Sequence, residues 1–248
     1  MTLIFVLVTQ ITPIPGQNQS PQSNEAEALN AEGSRLYRAG KYQEAIDAFK
    51  KSIRLKPDFA LAYNNLGAAY SDSGLYSEAI INLKEALRLE PDFVEARRNL
   101  GAAYNLIDRL EEAASEFQQV IYFKRDFAMA YSDLGTVLMK LNRYREALAA
   151  LERAVSLEPQ NAVIFNNLGC AYFHTGQLKR SLNAFKQAIS LNPVFSQAHF
   201  NLAMAYLKNG DRKSGLKQYG HLKNLDQELA DKLYQDLFSD KLLVVRVK

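Results

Sequence analysis

Residues 60–93 read ALAYNNLGAAYSDSGLYSEAIINLKEALRLEPDF, and this stretch decides the fold. Tyr63, Leu66, Gly67 and Tyr70 recur at spacings of three and four, and Ala79, Leu83, Ala86 and Leu87 do so again. Such spacing puts apolar side chains on one face of a helix. Gly74 separates the two runs, and glycine ends a helix readily because it adopts the left-handed conformation without strain. Pro91 lies beyond the second run, where it closes that helix and suits the first turn of the next. The stretch therefore predicts helix, turn, helix. Gly67 and Ala79 are small enough to let the two helices approach.

The pattern extends in both directions. Gly33, Gly67, Gly101, Gly135 and Gly169 stand 34 residues apart, and Ala203 continues the series. Leu66, Leu100, Leu134, Leu168 and Leu202 each precede one of these positions. Ala45, Ala79, Ala113, Ala147, Ser181 and Gly215 form a second column, and Phe49, Leu83, Phe117, Leu151, Phe185 and Tyr219 a third. The turn position holds Gly40, Gly74, Asp108, Asn142, Gly176 and Gly210, all types that tolerate a tight turn. Pro57, Pro91, Pro159 and Pro193 close four units, with Arg125 in their place in another. Coincident columns at one period mark a tandem array, in which each unit buries its apolar face against its neighbours.

The spacing of Tyr63, Leu66, Gly67, Tyr70, Ala79, Leu83, Ala86 and Pro91 resembles the tetratricopeptide repeat (TPR) in period and signature. The resemblance implies an all-α fold, a right-handed superhelical solenoid of helix–turn–helix units. Six units span 26–59, 60–93, 94–127, 128–161, 162–195 and 196–227. A capping helix over 226–238 is expected after them. Asp226 offers its N-cap, and Leu229, Leu233, Tyr234 and Leu237 form one stripe that can cover the last repeat. Two helices per unit plus the cap make about thirteen. Residues 239–248 read as a frayed tail. Residues 1–25 join an apolar start, Leu3–Val8, to a polar linker. The start reads either as the remnant of a secretory signal or as an apolar disordered tail, and the run is too short to span a bilayer.

The chemistry of the chain is bland. It is 48% hydrophobic and 23% charged, with a net charge of +3, so the bulk is not disordered and nothing demands nucleic acid or a membrane as partner. Cys170, the single cysteine, excludes an intramolecular disulfide framework and reads as a packed small hydrophobe. His174, His199 and His221 are not spaced as a metal-ligand pair, and His199 takes the place of Tyr63 and Tyr131, which predicts a packing imidazole. No phosphate-loop, dinucleotide, zinc-protease or hydrolase motif occurs. The sequence thus offers no catalytic residue, metal or cofactor.

What a helical array does build is a concave groove lined by the first helix of every unit. The sixth residue of the units reads Ala31, Asn65, Asn99, Asp133, Asn167 and Asn201. Asparagine is a mediocre helix former, so its recurrence has one of two sources. Duplication copies residues whether useful or not. Alternatively, the amides form a ladder that pairs with the backbone of an extended peptide. The column resembles the groove of the repeat domain of the O-linked N-acetylglucosamine transferase, which implies peptide binding. Repeats that clamp a chaperone carboxylate carry lysine one residue earlier. Here that place holds Asn30, Asn64, Arg98, Ser132, Asn166 and Phe200, so a clamp is disfavoured.

Charge is uneven along the chain. Residues 162–226 hold eight Lys and Arg against Asp211 and Asp226, whereas residues 1–161 hold 18 against 21 Asp and Glu. Most of the eight are expected on second helices, hence on the convex side, as a solvated face. The expected function is a non-catalytic adaptor that binds a peptide or protein segment in its groove. A scaffold assembling through its convex face or ends is the alternative, and a recruiting partner of a separately encoded enzyme is a third reading.

Overall fold

A computed structural model describes residues 21–235. The described residues are helix throughout, with no strand among them. The first helices of successive units are α1 (Pro21–Arg38), α3 (Ala60–Asp72), α5 (Val94–Leu106), α7 (Ala128–Lys140), α9 (Ala162–His174) and α11 (Ser196–Lys208). The second helices are α2 (Tyr42–Leu55), α4 (Tyr76–Leu89), α6 (Leu110–Phe123), α8 (Tyr144–Leu157), α10 (Leu178–Leu191) and α12 (Arg212–Leu225). A thirteenth, α13, follows Asp226 and is described over 227–235. The all-α array expected from the period is the fold observed. α1 is described from Pro21, inside the stretch read as linker, and Glu25–Leu29 are good helix formers. The apolar start at Leu3–Val8, the last part of the expected cap including Leu237, and the tail 239–248 lie outside the described residues.

Within each unit the turn is set by one left-handed residue. Gly40, Gly74, Gly176 and Gly210 have φ of 75–77°, and Asp108 and Asn142 adopt 57° and 59°. The next N–H reaches back five residues, as from Leu75 to Tyr70 O at 2.9 Å and from Arg109 to Tyr104 O at 2.9 Å. That bond satisfies a carbonyl that the ending helix leaves open.

Between units the chain makes a second turn. Phe93 N–H donates to Glu90 O at 3.1 Å and Phe195 N–H to Asn192 O at 3.1 Å, with Pro91 and Pro193 as the second residue of each turn. The prolines therefore stand between helices and not in the first turn of the next one, since α5 starts only at Val94. Proline fixes the φ that this turn position requires. Arg125 closes the same turn, with Phe127 N–H to Lys124 O at 3.3 Å, so losing the proline leaves the geometry unchanged.

The column of small residues has the expected cause. A Cβ placed on Gly67 would stand 2.6 Å from Leu83 Cγ and 3.2 Å from Ala79 O. Leu83 and Ala79 are fully buried, and the core runs on through Leu100, Phe117, Leu134 and Ala147. Successive helices pack as antiparallel neighbours. Each first helix also packs close to the first helix of the next unit, whereas among the described residues the backbones of the second helices stand further apart. The first helices thus form the inner layer and the second helices fan out around them. Of the eight cations in residues 162–226, seven lie on α10 or α12 and one, Lys208, on α11.

The array ends where its chemistry changes. Phe200 takes the place occupied in other units by Asn30, Asn64 or Asn166, and it packs with Ala203, Leu222, Ala230 and Leu233. Asp226 Oδ1 accepts from Leu229 N–H at 3.0 Å and so caps α13. Leu233 is fully buried, while Tyr234 is 48% exposed and stands 5.9 Å from the Tyr219 ring. Deleting residues 226–248 uncovers Leu222 and Phe200 and should lower the melting temperature and promote self-association. Light scattering and a thermal melt check this, and a truncated chain that matches the full chain in both refutes the capping role of α13.

Candidate peptide-binding groove

The ladder residues sit mid-helix on the inner layer, Asn65 on α3, Asn99 on α5, Asp133 on α7, Asn167 on α9 and Asn201 on α11. All five are half-buried. Each reaches back to the preceding unit. Asn65 Nδ2 donates to Asn30 Oδ1 at 3.0 Å, Asn99 Nδ2 to Asn64 Oδ1 at 2.9 Å and Asn201 Nδ2 to Asn166 Oδ1 at 2.8 Å. Asn167 Nδ2 donates to Ser132 Oγ at 3.2 Å and Thr136 Oγ1 at 3.4 Å. The acceptors Asn30, Asn64, Ser132 and Asn166 are buried, with 1–6% exposure. The place that a carboxylate clamp would fill with lysine thus holds the acceptor of an inter-repeat bond.

This arrangement adds a third source for the asparagines beside inheritance and ligand binding. A buried amide acceptor needs a donor, and the next unit supplies it. Two of the amide oxygens are less committed, while that of Asn201 accepts from Gln197 Nε2 at 3.0 Å. Oδ1 of Asn65 and of Asn167 take only long contacts of 3.4 Å from Asn64 and Asn166.

The third junction inverts the polarity. Arg98 replaces the neutral acceptor, and its Nε donates to Asp133 Oδ2 at 2.7 Å. Burial of Asp133 raises its carboxyl above the usual value, and the attraction of Arg98 only partly opposes this. A raised folded-state pKa means that stability gained from this group is complete below the unfolded value and is lost as pH rises through the folded one. The charged Asp133 therefore carries a desolvation cost at neutral pH. Asp133→Asn also leaves Arg98 without its carboxylate, so the expected signature is the pH dependence: relative to this variant the native chain should gain stability as the pH falls from 7 to below 4. Urea titrations at both pH values measure this, and a native chain that loses stability in acid relative to Asp133→Asn refutes the assignment.

The remaining singled-out side chains are packed. His199 is buried, with Nδ1 2.7 Å from Gln218 Oε1 and Nε2 2.9 Å from Pro193 O. A carbonyl only accepts, so Nε2 carries a proton. Cys170 lies under the surface, and burial pushes its thiol up to about 11. Among the described residues no cluster of His, Cys, Asp and Glu could hold a metal, and no helix is long and apolar enough to cross a membrane.

The family pattern described as TPR repeat matches residues 33–74, 135–176 and 170–210, and that described as Tetratricopeptide repeat matches residues 60–93. Together they take in more than half of the chain. The chain belongs to the tetratricopeptide repeat family. TPR arrays are in general protein-interaction modules, and this one has their solenoid architecture. Among solved structures it is similar to MamA 41-end from Desulfovibrio magneticus RS-1, at 27% identity and a TM-score of 0.61 over 68% of this chain and 96% of that one. YrrB, described as a TPR protein with an unusual peptide-binding site, is 24% identical, with a TM-score of 0.59 over 77% of this chain and 99% of its own. The pilF protein of Pseudomonas aeruginosa is 14% identical, with a TM-score of 0.74 over 87% and 98%. The last two likenesses concern the fold. Among curated proteins, no sequence matches the chain.

Proposed function

We propose that the chain is a non-catalytic adaptor whose concave groove holds an extended peptide or protein segment, with Asn65, Asn99, Asp133, Asn167 and Asn201 along its floor. The observation that carries this reading is the column itself. Half-buried polar side chains stand at one place on the inner layer in five successive units, and the amide oxygens of Asn65 and Asn167 are only weakly engaged. An extended segment presents backbone N–H groups that such oxygens accept, and the amide nitrogens are held in place by the preceding unit. The reading asks for a protein partner and for no cofactor or nucleic acid.

The test is a pull-down with the full chain and with a variant carrying Asn65→Ala, Asn99→Ala, Asn167→Ala and Asn201→Ala. A partner retained by the native chain and lost by the folded variant supports the groove. Equal recovery moves the interaction to the convex face or the ends, where a scaffold would assemble.

A further inference from the structure

One pocket in the groove is unlike the rest of its floor. Between α9 and α11 lies a cavity of about 160 Å³, lined by Cys170, Phe173, His174, Phe185, Asn201 and Met204. Its Asn201 amide is already engaged. Asn201 Nδ2 bonds Asn166 Oδ1 at 2.8 Å and touches Cys170 Sγ at 3.4 Å, while its Oδ1 accepts from Gln197 Nε2 at 3.0 Å. The His174 ring lies parallel to that of Tyr144, with centroids 4.9 Å apart. A ligand therefore meets the Phe173 and Phe185 rings, the Met204 thioether and the Cys170 sulfur. Phe185 packs close against Gly169, where a Cβ would stand 2.5 Å from the ring.

Size and charge narrow the occupant. An apolar cavity of about 150 Å³ holds a benzene molecule, so this one has room for a phenyl ring or a leucine side chain. At its edge Lys208 Nζ stands 4.3 Å from the Phe173 ring centroid. Among the described residues Lys208 makes no ion pair. Lys140 and His174 hold the same register in the two preceding units. The geometry points to a specificity pocket for an aromatic or leucine-sized side chain of the bound segment, with an acidic residue beside that anchor meeting Lys208.

The same register in the first two units makes the contrast. There Ser34, Tyr37, Arg38, Phe49, Asn65 and Ala68 line the corresponding pocket. The Tyr37 hydroxyl donates to Asp72, so that pocket carries a hydroxyl and a carboxylate at its edge where the other has Phe173 and Lys208, and Ala68 where the other has Met204. A segment lying along the groove thus meets an apolar, cationic station at α9–α11 and a carboxylate at the matching place of the first two units. An apolar anchor seated in a desolvated pocket is where binding energy concentrates in an interface.

This inference rests on the groove reading, and its test separates the two. A random linear peptide library is panned on the full chain, and enriched peptides are synthesised and titrated against the native chain, Met204→Glu and Lys208→Glu. The expected consensus is Phe or Leu next to Asp or Glu. Alanine at the anchor, or Met204→Glu, weakens binding at least about tenfold, equivalent to about 1.4 kcal/mol. Lys208→Glu removes the preference for the acidic neighbour. Alkylation of Cys170 in the native chain, which needs no substitution, slows when the peptide is bound. Peptides that bind both variants with native affinity and leave Cys170 alkylation unchanged overturn the pocket. If the fourfold asparagine variant still loses those peptides, the groove reading stands alone. If it keeps them, or if no peptide is enriched, both readings fall.

Discussion

Replacing Asn65, Asn99, Asn167 and Asn201 together with alanine is expected to lower both the affinity for a bound segment and the stability of the array. On the binding side, each lost peptide contact is worth about 0.5–1.5 kcal/mol, so four cost about 2–6 kcal/mol and abolish a micromolar complex. On the stability side, the same substitutions remove the donors of the inter-repeat bonds and leave Asn30, Asn64, Ser132 and Asn166 buried without them. That loss is again about 2–6 kcal/mol, offset in part by the better helix propensity of alanine, roughly 0.5 kcal/mol per site. The helix propensity of alanine taken alone would predict a slightly more stable variant, and the inter-repeat bonds reverse that sign.

A second set of substitutions separates the two effects. Alanine at Asn30, Asn64, Ser132 and Asn166 removes the acceptors and leaves the ladder amides on the groove. It should lower stability while weakening binding much less. Calorimetric titration at a temperature well below either melt, paired with urea unfolding, reads both quantities. If the ladder variant binds as tightly as the native chain, the asparagines are structural only. If it is also no less stable, the inter-repeat bonds contribute nothing.

Leu100→Ala should cost about 2–5 kcal/mol, the usual range for emptying a buried leucine site. Leu100 is 2% exposed on α5, in the middle of the array, and shares the core with Leu83, Phe117 and Leu134. A solenoid is held by contacts between neighbours, so damage at a central unit weakens the junctions on both sides. Urea unfolding followed by circular dichroism should show an earlier midpoint and a broader transition. An inert Leu100→Ala would refute the proposed core.

The fold was legible because its punctuation is chemical. Gly74 and its counterparts sit where φ must be positive, and Asp108 and Asn142 are the residue types that reach that region next most easily. Gly67 and Ala79 mark the contact between two helices. The ladder was legible as a column but its bonding was not. A period of 34 aligns like with like, whereas each amide bonds a residue 35 positions earlier, one place off the column. In sequence the acceptor places show only the lack of a clamp's lysines. The α9–α11 pocket was invisible for another reason. Its lining comes from three helices, α9, α10 and α11, and no spacing along one helix reveals that.

The inter-repeat bonds also bear on how such an array can lengthen. A unit that carries both an acceptor such as Asn64 and a donor such as Asn65 arrives, when copied, ready to join its predecessor and its successor. Three of the junctions here share that exchangeable connector, and an extra copy placed among them would meet matching chemistry on both sides. Arg98 and Asp133 break the interchangeability. An Arg98 unit set before an asparagine would leave its guanidinium without a carboxylate, and an Asp133 unit set after an asparagine would bring an anion to a neutral partner. The third and fourth units are therefore keyed to each other, which fixes their order in a chain whose other joints are generic.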